Sequence, residues 1–388
     1  MAVHRKRVYA AVLIIALCMI PAATGLDGEG YRTRSPGGQI SSVAITNDGS
    51  RIVCGSDTGK VFCYNAEGTV LWSHAASSPV TAVSAAGLGS AFAAGYADGN
   101  VSFFKRDGGI RWEKATGSPV SSLAVSGYGS ECAVGGDRLV LFSALGDRIF
   151  DARAGDRVLS VAISEDGEYI VTGSENGDIN FFGRRGNVLW SEFTHGTVRS
   201  VSTADDASII AAGRADDNLY IMTRKGSIRW LKVTGAPVMS VALSRSGDDV
   251  VIANRGGTVR YYEVGERERW SATTNGEIRA LAIAGDGSLA AAADTGTGIR
   301  LYDRTGAEVW TFAADSTATS LALSQDGRVL AAAAGSDVYL FTTAVTPVRN
   351  IQVETASMPA PSPAEVPSGA WPAVAAPLLL AAARRLYR

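Results

Sequence analysis

Seven aromatic residues recur along this chain at an almost constant interval of 40 residues. They are Trp72, Trp112, Phe150, Trp190, Trp230, Trp270 and Trp310. An apolar residue follows each marker by eight positions, at Val80, Val120, Val158, Val198, Val238, Ile278 and Ala318, and the same interval places Ile40 at the head of an earlier copy. A fixed period near 40 residues indicates one supersecondary unit that is repeated. The sequence therefore predicts eight copies of that unit.

Each copy contains four short runs rich in Val, Ile, Ala and aromatic residues, separated by Gly, Asp, Asn or Ser. In the copy that starts at Val158 the runs are VLSVAIS, YIVTGS, INFFG and VLW. Runs of this length and composition are typical of β-strands. Asp-Gly pairs such as Asp48-Gly49 suit tight hairpins, because glycine accepts a positive φ. No segment within residues 40–345 keeps a helical period over three turns, so the predicted fold is all-β.

Four antiparallel strands in each copy, arranged radially, predict an eight-bladed β-propeller, with seven blades as the alternative if a terminal copy is irregular. The copy that starts at Ala318 offers only three strands. The segment YRTRSP from Tyr31 stands in the right register before Ile40 to supply the fourth. We therefore predict that an N-terminal strand closes the last blade. The recurring tryptophans predict packing between blades, and the third copy, which is two residues short, is predicted to be the least regular.

The Gly-x-x-x-Trp endings of the copies, such as Gly186 to Trp190 and Gly306 to Trp310, resemble the tryptophan-docking motif of quinoprotein (PQQ)-like propellers. The run TGSENGDINFF around Gly173 resembles a WD40 hairpin, although no Trp-Asp dipeptide closes any copy. Residues 31–345 are therefore similar to the WD40-like and quinoprotein-like repeat superfamilies. The resemblance implies the propeller architecture strongly and an activity only weakly, because a fold does not dictate function.

The two ends of the chain differ in composition from the repeats. Residues 1–25 have the order of a secretory signal peptide, with the basic segment MAVHRKR, the apolar run VYAAVLIIALCMI and then small residues. A retained anchor and lipid attachment at Cys18 are the alternatives. Residues 26–345 form the predicted propeller, and residues 346–369 a stiff proline-rich linker.

Residues 370–388 carry an apolar run and the basic end RRLYR. Linker and tail together resemble the C-terminal sorting signals of archaeal and bacterial surface proteins, with a plain tail anchor as the alternative. Either arrangement predicts an extracytoplasmic propeller at the cell surface. It would be held at the membrane by the tail or by a lipid added in its place.

The charge balance argues against a nucleic-acid partner. The chain has 36 basic and 38 acidic residues, and six of the basic residues belong to the two terminal segments, which leaves 30 against 38. An acidic domain lacks the basic face that phosphate-backbone contacts need.

The sequence holds no constellation of catalytic residues, so we predict that the protein is not an enzyme. Outside the predicted signal segment only His74 and His195 occur, in equivalent loops of different copies, and no zinc-type Cys/His spacing is present. Cys54 and Cys63 fall on neighbouring predicted strands and would face each other across a two-residue turn. Two buried thiols are the prediction for this pair, and a disulfide is the alternative.

The predicted turns differ in charge within each copy. Turns between the second and third strands are acidic and form the candidate binding rim: Asp57, Asp98, Asp137, Glu175, Asp216, Asp217 and Asp294. Turns between the third and fourth strands are basic: Lys105, Arg106, Arg184, Arg185, Arg224, Lys225 and Arg304. Because these turns lie on opposite faces of a propeller, the ring could be electrically polarised, and a basic partner or calcium would then meet the acidic rim. The alternative is that these turns are simply solvated.

These observations predict a protein that binds or scaffolds and does no chemistry. Its loops would present a rigid surface to a protein or cell-envelope partner, as do the assembly-platform propellers of envelope machineries, which it resembles in fold. The alternative is a cofactor-binding oxidoreductase similar to the quinoproteins, which the short loops and the lack of adjacent cysteines disfavour. No resident cofactor is expected, and calcium is the one candidate ion.

Overall fold

The computed structural model describes residues 31–34, 37–296 and 298–343, with the backbone alone for residues 31–34. Every regular element in these ranges is a strand, and the 32 strands form eight four-stranded antiparallel sheets. The all-β, eight-bladed propeller is confirmed, and the seven-bladed alternative is wrong. The predicted signal segment (1–25), proline-rich linker (346–369) and C-terminal tail (370–388) lie outside the described residues.

The first four blades follow one another along the chain. Blade 1 comprises β2 (Ile40–Ile45), β3 (Arg51–Ser56), β4 (Lys60–Asn65) and β5 (Val70–Ala75); blade 2, β6 (Val80–Ala85), β7 (Ala91–Tyr96), β8 (Asn100–Lys105) and β9 (Ile110–Ala115); blade 3, β10 (Ser122–Val125), β11 (Glu131–Gly135), β12 (Leu139–Ser143) and β13 (Arg148–Ala152); blade 4, β14 (Val158–Ile163), β15 (Tyr169–Ser174), β16 (Asp178–Gly183) and β17 (Val188–Phe193). Blade 3 has the shortest strands, as its shortened copy predicts.

The remaining blades repeat this order. Blade 5 comprises β18 (Val198–Thr203), β19 (Ile209–Arg214), β20 (Asn218–Thr223) and β21 (Ile228–Val233); blade 6, β22 (Val238–Leu243), β23 (Asp249–Asn254), β24 (Thr258–Glu263) and β25 (Glu268–Thr273); blade 7, β26 (Ile278–Ile283), β27 (Leu289–Asp294), β28 (Gly298–Asp303) and β29 (Glu308–Ala313); blade 8, β30 (Ala318–Leu323), β31 (Val329–Ala334), β32 (Asp337–Thr342) and β1 (Tyr31–Arg34). First strands of neighbouring blades contact one another and so line the ring axis, with the fourth strands outermost.

The N-terminal strand β1 completes blade 8, as predicted from the register of Tyr31. It pairs antiparallel with β32, from Tyr31 opposite Leu340 to Arg34 opposite Asp337. Backbone bonds also join the two ends of the ring at the axis, where the Ile40 N–H donates to the Gly335 carbonyl over 2.7 Å. Pairing the two ends of the described chain removes the open edge that a row of eight sheets would otherwise leave.

The hydrophobic core is divided into eight clusters, one at each junction between neighbouring blades. This division explains why the two cysteines of blade 1 do not meet. Cys54 lies opposite Phe62 and packs toward blade 8, whereas Cys63 lies opposite Val53 and packs toward blade 2. Three residues, not two, connect their strands, so the thiols point to opposite sides of the sheet. Both are free and buried, and the disulfide alternative is wrong.

The recurring tryptophans, with Phe150 in blade 3, pack blades 1 to 7 each against the next blade, which confirms their predicted packing role. Trp190 donates its indole N–H to the carbonyl of Arg224 in blade 5 over 2.9 Å. Its ring covers Gly226, where a Cβ would lie 2.7 Å from the indole Cγ. The Gly-x-x-x-Trp spacing therefore has a packing cause. The glycine at its start makes room for the tryptophan of the preceding blade, and the tryptophan at its end reaches the following blade.

Candidate binding surfaces

The connections between strands define two faces of the ring. The B–C face carries the turns between second and third strands and the links between blades. The A–B face carries the turns between first and second strands and those between third and fourth strands. From β2 to β32 these connections are two to six residues long. Each face is therefore built from short, hydrogen-bonded turns, and few side chains rise above it.

The predicted acidic rim lies on the B–C face, but its carboxylates are already engaged at several positions. Asp57 accepts a hydrogen bond from the backbone N–H of Gln39 (2.9 Å), and Asp98 accepts one from the backbone N–H two residues on (3.0 Å). Asp216 forms an ion pair with Arg214, whose side chain is buried. These three carboxylates cap turns or neutralise a buried cation, so they serve the fold as well as the surface.

Asp294 departs from its predicted place on the rim. Its side chain is 1% exposed, and it accepts a hydrogen bond from the backbone N–H of Gly296 (2.8 Å) while Arg300 lies 3.5 Å away. The last residue of every second strand is buried in this ring, because it points into the space between blades. A partner therefore cannot reach Asp294. Asp217, on the corresponding turn of blade 5, has a left-handed backbone with φ of 92°.

Two of the predicted rim residues come together in one cleft. Asp137 and Glu175 line a cavity of about 480 Å³ between blades 3 and 4, together with Arg138, Arg153, Asp156 and Arg157. Three carboxylates and three guanidinium groups meet here, so the cleft is mixed in charge rather than acidic. The predicted rim is thus a set of separate turns and not a continuous negative surface.

The basic turns predicted between third and fourth strands do lie on the opposite, A–B face, but three of their seven cations have local partners. Arg184 pairs with Glu131 of blade 3 over 2.5 Å, and Arg304 pairs with Asp249 of blade 6 over 2.6 Å. Both carboxylates are almost fully buried. The Arg224 guanidinium lies 4.9 Å from the ring centre of Tyr169. The A–B face is therefore not a bare positive rim.

These contacts follow one rule, which links the first residue of each second strand to the first residue after the third strand of the next blade. We call the two positions a junction pair. Six junction pairs, from blades 1–2 to blades 6–7, are Arg51 with Arg106, Ala91 with Ala144, Glu131 with Arg184, Tyr169 with Arg224, Ile209 with Val264, and Asp249 with Arg304. The two apolar pairs each belong to one core cluster. Only the pair between blades 1 and 2 joins two groups of like charge.

The A–B end of the ring axis is closed by backbone and side chains together. Eight backbone hydrogen bonds of 2.8–3.3 Å link the turns between first and second strands of all eight blades in a closed circle. Arg245 of blade 6 crosses this opening: it donates to Glu165 and Asp205, and over 2.6 Å to Gln325 of blade 8. Burial raises the pKa of Asp205 and the Glu165 charge adds to the rise, while Arg245 opposes it. Arg245 therefore ties blades 4, 5, 6 and 8 to one another.

A polar cleft of about 370 Å³ lies between blades 1 and 2 on the B–C face. His74, predicted in a loop, is part of β5 and lies 3.8 Å from a carboxylate oxygen of Glu113. The Ser102 hydroxyl donates to the same carboxylate over 2.8 Å, and burial raises the pKa of Tyr96 in this cleft to about 12. His195 lies in blade 4 against Phe193, so the two histidines belong to separate places on the ring.

The outermost strands of blades 4 and 5 expose large apolar side chains. Three lie on β17 and three on β21: Val188, Leu189, Phe193, Ile228, Leu231 and Val233, which are 44–66% exposed. Both strands are edge strands of their sheets, so each also presents unpaired backbone groups outward. Sequence reasoning missed these residues because their runs match the core pattern; the signal was the position of each run at the end of its copy.

Within the described ranges, no three His, Cys, Asp or Glu side chains come together as a metal site would require. None of the elements in the described part of the chain is an apolar helix long enough to cross a membrane.

Comparison with protein families gives two matches. The family model described as outer membrane protein assembly factor BamB, a PQQ-type repeat model, matches residues 28–180 and 97–254. A family of unknown function, DUF5711, matches residues 215–336. No curated protein matches the chain by sequence.

Solved structures share the fold at low sequence identity. The C-terminal WD40 domain of Sif2 aligns with a TM-score of 0.72 at 14% identity, covering 82% of this chain and 99% of that one. The computationally designed Ika8 protein aligns at 0.70 and 18% identity (82% and 98%). Sqt1 of Chaetomium thermophilum, bound to the N-terminus of ribosomal protein L10, aligns at 0.70 and 13% identity (79% and 97%).

Proposed function

The chain belongs to the repeat family described as outer membrane protein assembly factor BamB, and from this premise we propose that it is a non-enzymatic scaffold that binds a protein of the cell envelope. The predicted signal segment and C-terminal tail support an extracytoplasmic, membrane-tethered position. The short connections of the ring favour a scaffold over the quinoprotein-like oxidoreductase, because a cofactor pocket in such a ring is built from long inserted loops.

The observation that carries the proposal is the apolar outer edge of blades 4 and 5. Large exposed apolar side chains mark protein-binding surfaces when they cluster. Within the described ranges, half of the twelve exposed large apolar side chains lie on the two strands β17 and β21. An edge strand with apolar side chains offers both backbone hydrogen bonds and side-chain contacts, which is how extended peptides add to a sheet.

The chemistry of β21 specifies the partner segment further. Its six residues include Arg229 and Lys232 and no carboxylate, and neither cation forms an ion pair with a described residue. Leu231 and Val233 lie two positions apart and so point to the same side of the strand. The occupant that fits is an extended segment of a partner protein, with apolar residues at alternate positions and acidic residues between them.

The test is affinity capture from solubilised envelope, with the purified full chain as bait. The variant Leu231→Asp with Val233→Asp removes the apolar pair of β21. The matched control is Val70→Asp with Leu71→Asp, which changes two apolar residues of similar exposure on β5. We expect the control to retain a partner that the β21 variant loses, and a peptide of that partner to bind the purified chain directly.

Equal retention by the β21 variant and the wild type would overturn the assigned surface. If no protein is retained and calcium or a quinone raises the melting temperature, the scaffold proposal is wrong and the oxidoreductase alternative gains support.

A further inference from the structure

The junction pair between blades 1 and 2 differs in chemistry from the five other pairs named above. At those five junctions an acid meets a base, a cation meets an aromatic ring, or two apolar residues meet. At the blade 1–2 junction Arg51 meets Arg106, and the Arg51 guanidinium donates to the Arg106 backbone carbonyl over 3.2 Å. Two guanidinium groups placed together repel each other, and such a local conflict is expected at functional sites.

More positive charge surrounds this pair. A cleft of about 370 Å³, which we call the basic cleft, is lined by Arg51, Ser90, Lys105, Arg106, Asp107 and Arg111. None of its four cations forms an ion pair with a carboxylate of the described residues, in contrast to Arg184 and Arg304 at the equivalent turn.

Two carboxylates in or near the basic cleft, Asp107 and Asp48, also cap turns. Asp107 lines it, but its carboxylate accepts the backbone N–H of Gly109 over 3.0 Å. The pKa of Asp48 is lowered: burial opposes this, and hydrogen bonds with Thr46 and Ser50 together with the Arg106 charge outweigh burial. Four cations thus face two carboxylates that already cap turns.

We propose that the basic cleft binds a phosphoryl group. Guanidinium groups present planar pairs of N–H donors that match phosphate oxygens, which is why arginine predominates in phosphate sites. One bidentate arginine satisfies a carboxylate, whereas a phosphoryl group has three acceptor oxygens and a charge near −2 and can engage several cations. The Ser90 hydroxyl adds a neutral donor at the edge of the same cleft.

Bound phosphate would resolve the conflict at this junction, because it supplies the negative charge that Glu131 and Asp249 supply at theirs. The site is independent of the apolar edge of blades 4 and 5, since it lies on the A–B face of blades 1 and 2. A scaffold could thus hold a protein on its circumference and a phosphorylated envelope molecule on its face.

The test measures the melting temperature of the full chain in detergent by tryptophan fluorescence, in inorganic phosphate and in sodium chloride of equal ionic strength. We expect phosphate to raise the melting temperature in a saturable way, because a ligand that binds only the folded state stabilises it. The variant Arg51→Glu creates an acid–base pair like those at the blade 3–4 and blade 6–7 junctions. It should melt at a higher temperature than wild type without phosphate and lose the phosphate response.

A second variant guards against misfolding, and a control guards against a general charge effect. Arg106→Gln should weaken phosphate binding by about tenfold, while Arg185→Gln, in the equivalent turn of blade 4, should leave it unchanged. Glycerol 3-phosphate and acetate separate the sources of the anion: tighter binding of glycerol 3-phosphate than of phosphate indicates an esterified headgroup, and equal binding indicates free phosphate. No response to phosphate, an equal response in Arg51→Glu, or equal binding of acetate would overturn the proposal.

Discussion

The junctions between blades 1 and 2 and between blades 6 and 7 are built on the same plan and differ in one chemical choice. In both, a tryptophan docks on a glycine of the next blade, Trp72 on Gly108 and Trp270 on Gly306. In both, the first residue of the second strand faces the turn after the next blade's third strand. The later junction places Asp249 there, and the earlier one places Arg51. The comparison distinguishes the tryptophan–glycine contact, which both junctions use for packing, from the pair of like charges, which only the blade 1–2 junction has.

The largest loss of stability should come from removing the tryptophan that both junctions share. Trp72→Ala and Trp270→Ala should each lower the free energy of unfolding by about 3–5 kcal/mol, because each removes a large aromatic from a packed junction. Similar losses, measured by urea denaturation, would show that the two junctions pack alike. A loss under about 1 kcal/mol at either site would mean that its tryptophan is not packed.

The next largest loss of stability should occur at the blade 6–7 junction and not at the blade 1–2 junction. Asp249→Ala removes a carboxylate that is 2% exposed and leaves Arg304 and Arg269 without it. We expect a loss of roughly 2–3 kcal/mol, since an ionic hydrogen bond is lost and a cation is left beside a buried site. Arg51→Ala at the equivalent position should change stability by less than about 1 kcal/mol. Equal losses would contradict the assigned difference.

Removing the arginine of the following blade should change stability by a smaller amount, and with opposite sign at the two junctions. Arg304→Gln should destabilise the ring by about 1 kcal/mol because Asp249 loses its nearer cation. Arg106→Gln, measured in phosphate-free buffer, should stabilise it by up to about 0.5 kcal/mol because it relieves the repulsion from Arg51. If both variants destabilise, like-charge repulsion is not the main feature of the blade 1–2 junction.

The smallest effect should appear only at high pH. Tyr261, at the blade 6–7 junction, donates to the Gly287 carbonyl over 2.7 Å. Burial raises its pKa above the ordinary value of 10.0, and the nearby Asp249 charge adds to the rise. The folded state then resists ionisation that the unfolded chain allows, so stability is intact below pH 10 and falls above it. Tyr261→Phe should flatten this fall above about pH 10, measured as unfolding free energy against pH. An unchanged slope would show that Tyr261 does not cause it.

The architecture could be predicted from the sequence because the same pattern recurs in eight copies. The 40-residue interval, the Gly-x-x-x-Trp endings and the register of Tyr31 each fix a part of the ring independently. The surface was harder to predict, since it depends on single positions. Asp294 is the last residue of its strand rather than the first residue of the turn, and this one step buries it.

The disulfide alternative failed for a similar reason, since a turn of three residues instead of two turned Cys63 away from Cys54. Junction pairs could have been found from the sequence by comparing residues 53–55 positions apart in adjacent copies. That comparison requires knowing in advance which strand positions face the next blade. The reach of Arg245 across the axis depends on side-chain conformation and has no counterpart in the repeat.

The closure of blade 8 by β1 sets an order of assembly. Residues 31–34 find their partners only at residues 337–340, about 300 residues later in synthesis. Blades 1 to 7 can form their own four-stranded sheets as the chain emerges, since their pairings are local. The first strand has to stay extended and unpaired until the last blade has been made, so the ring gains its final stability in one late step. A chain that ends between residues 313 and 337 has all the strands of seven sheets and cannot close the ring.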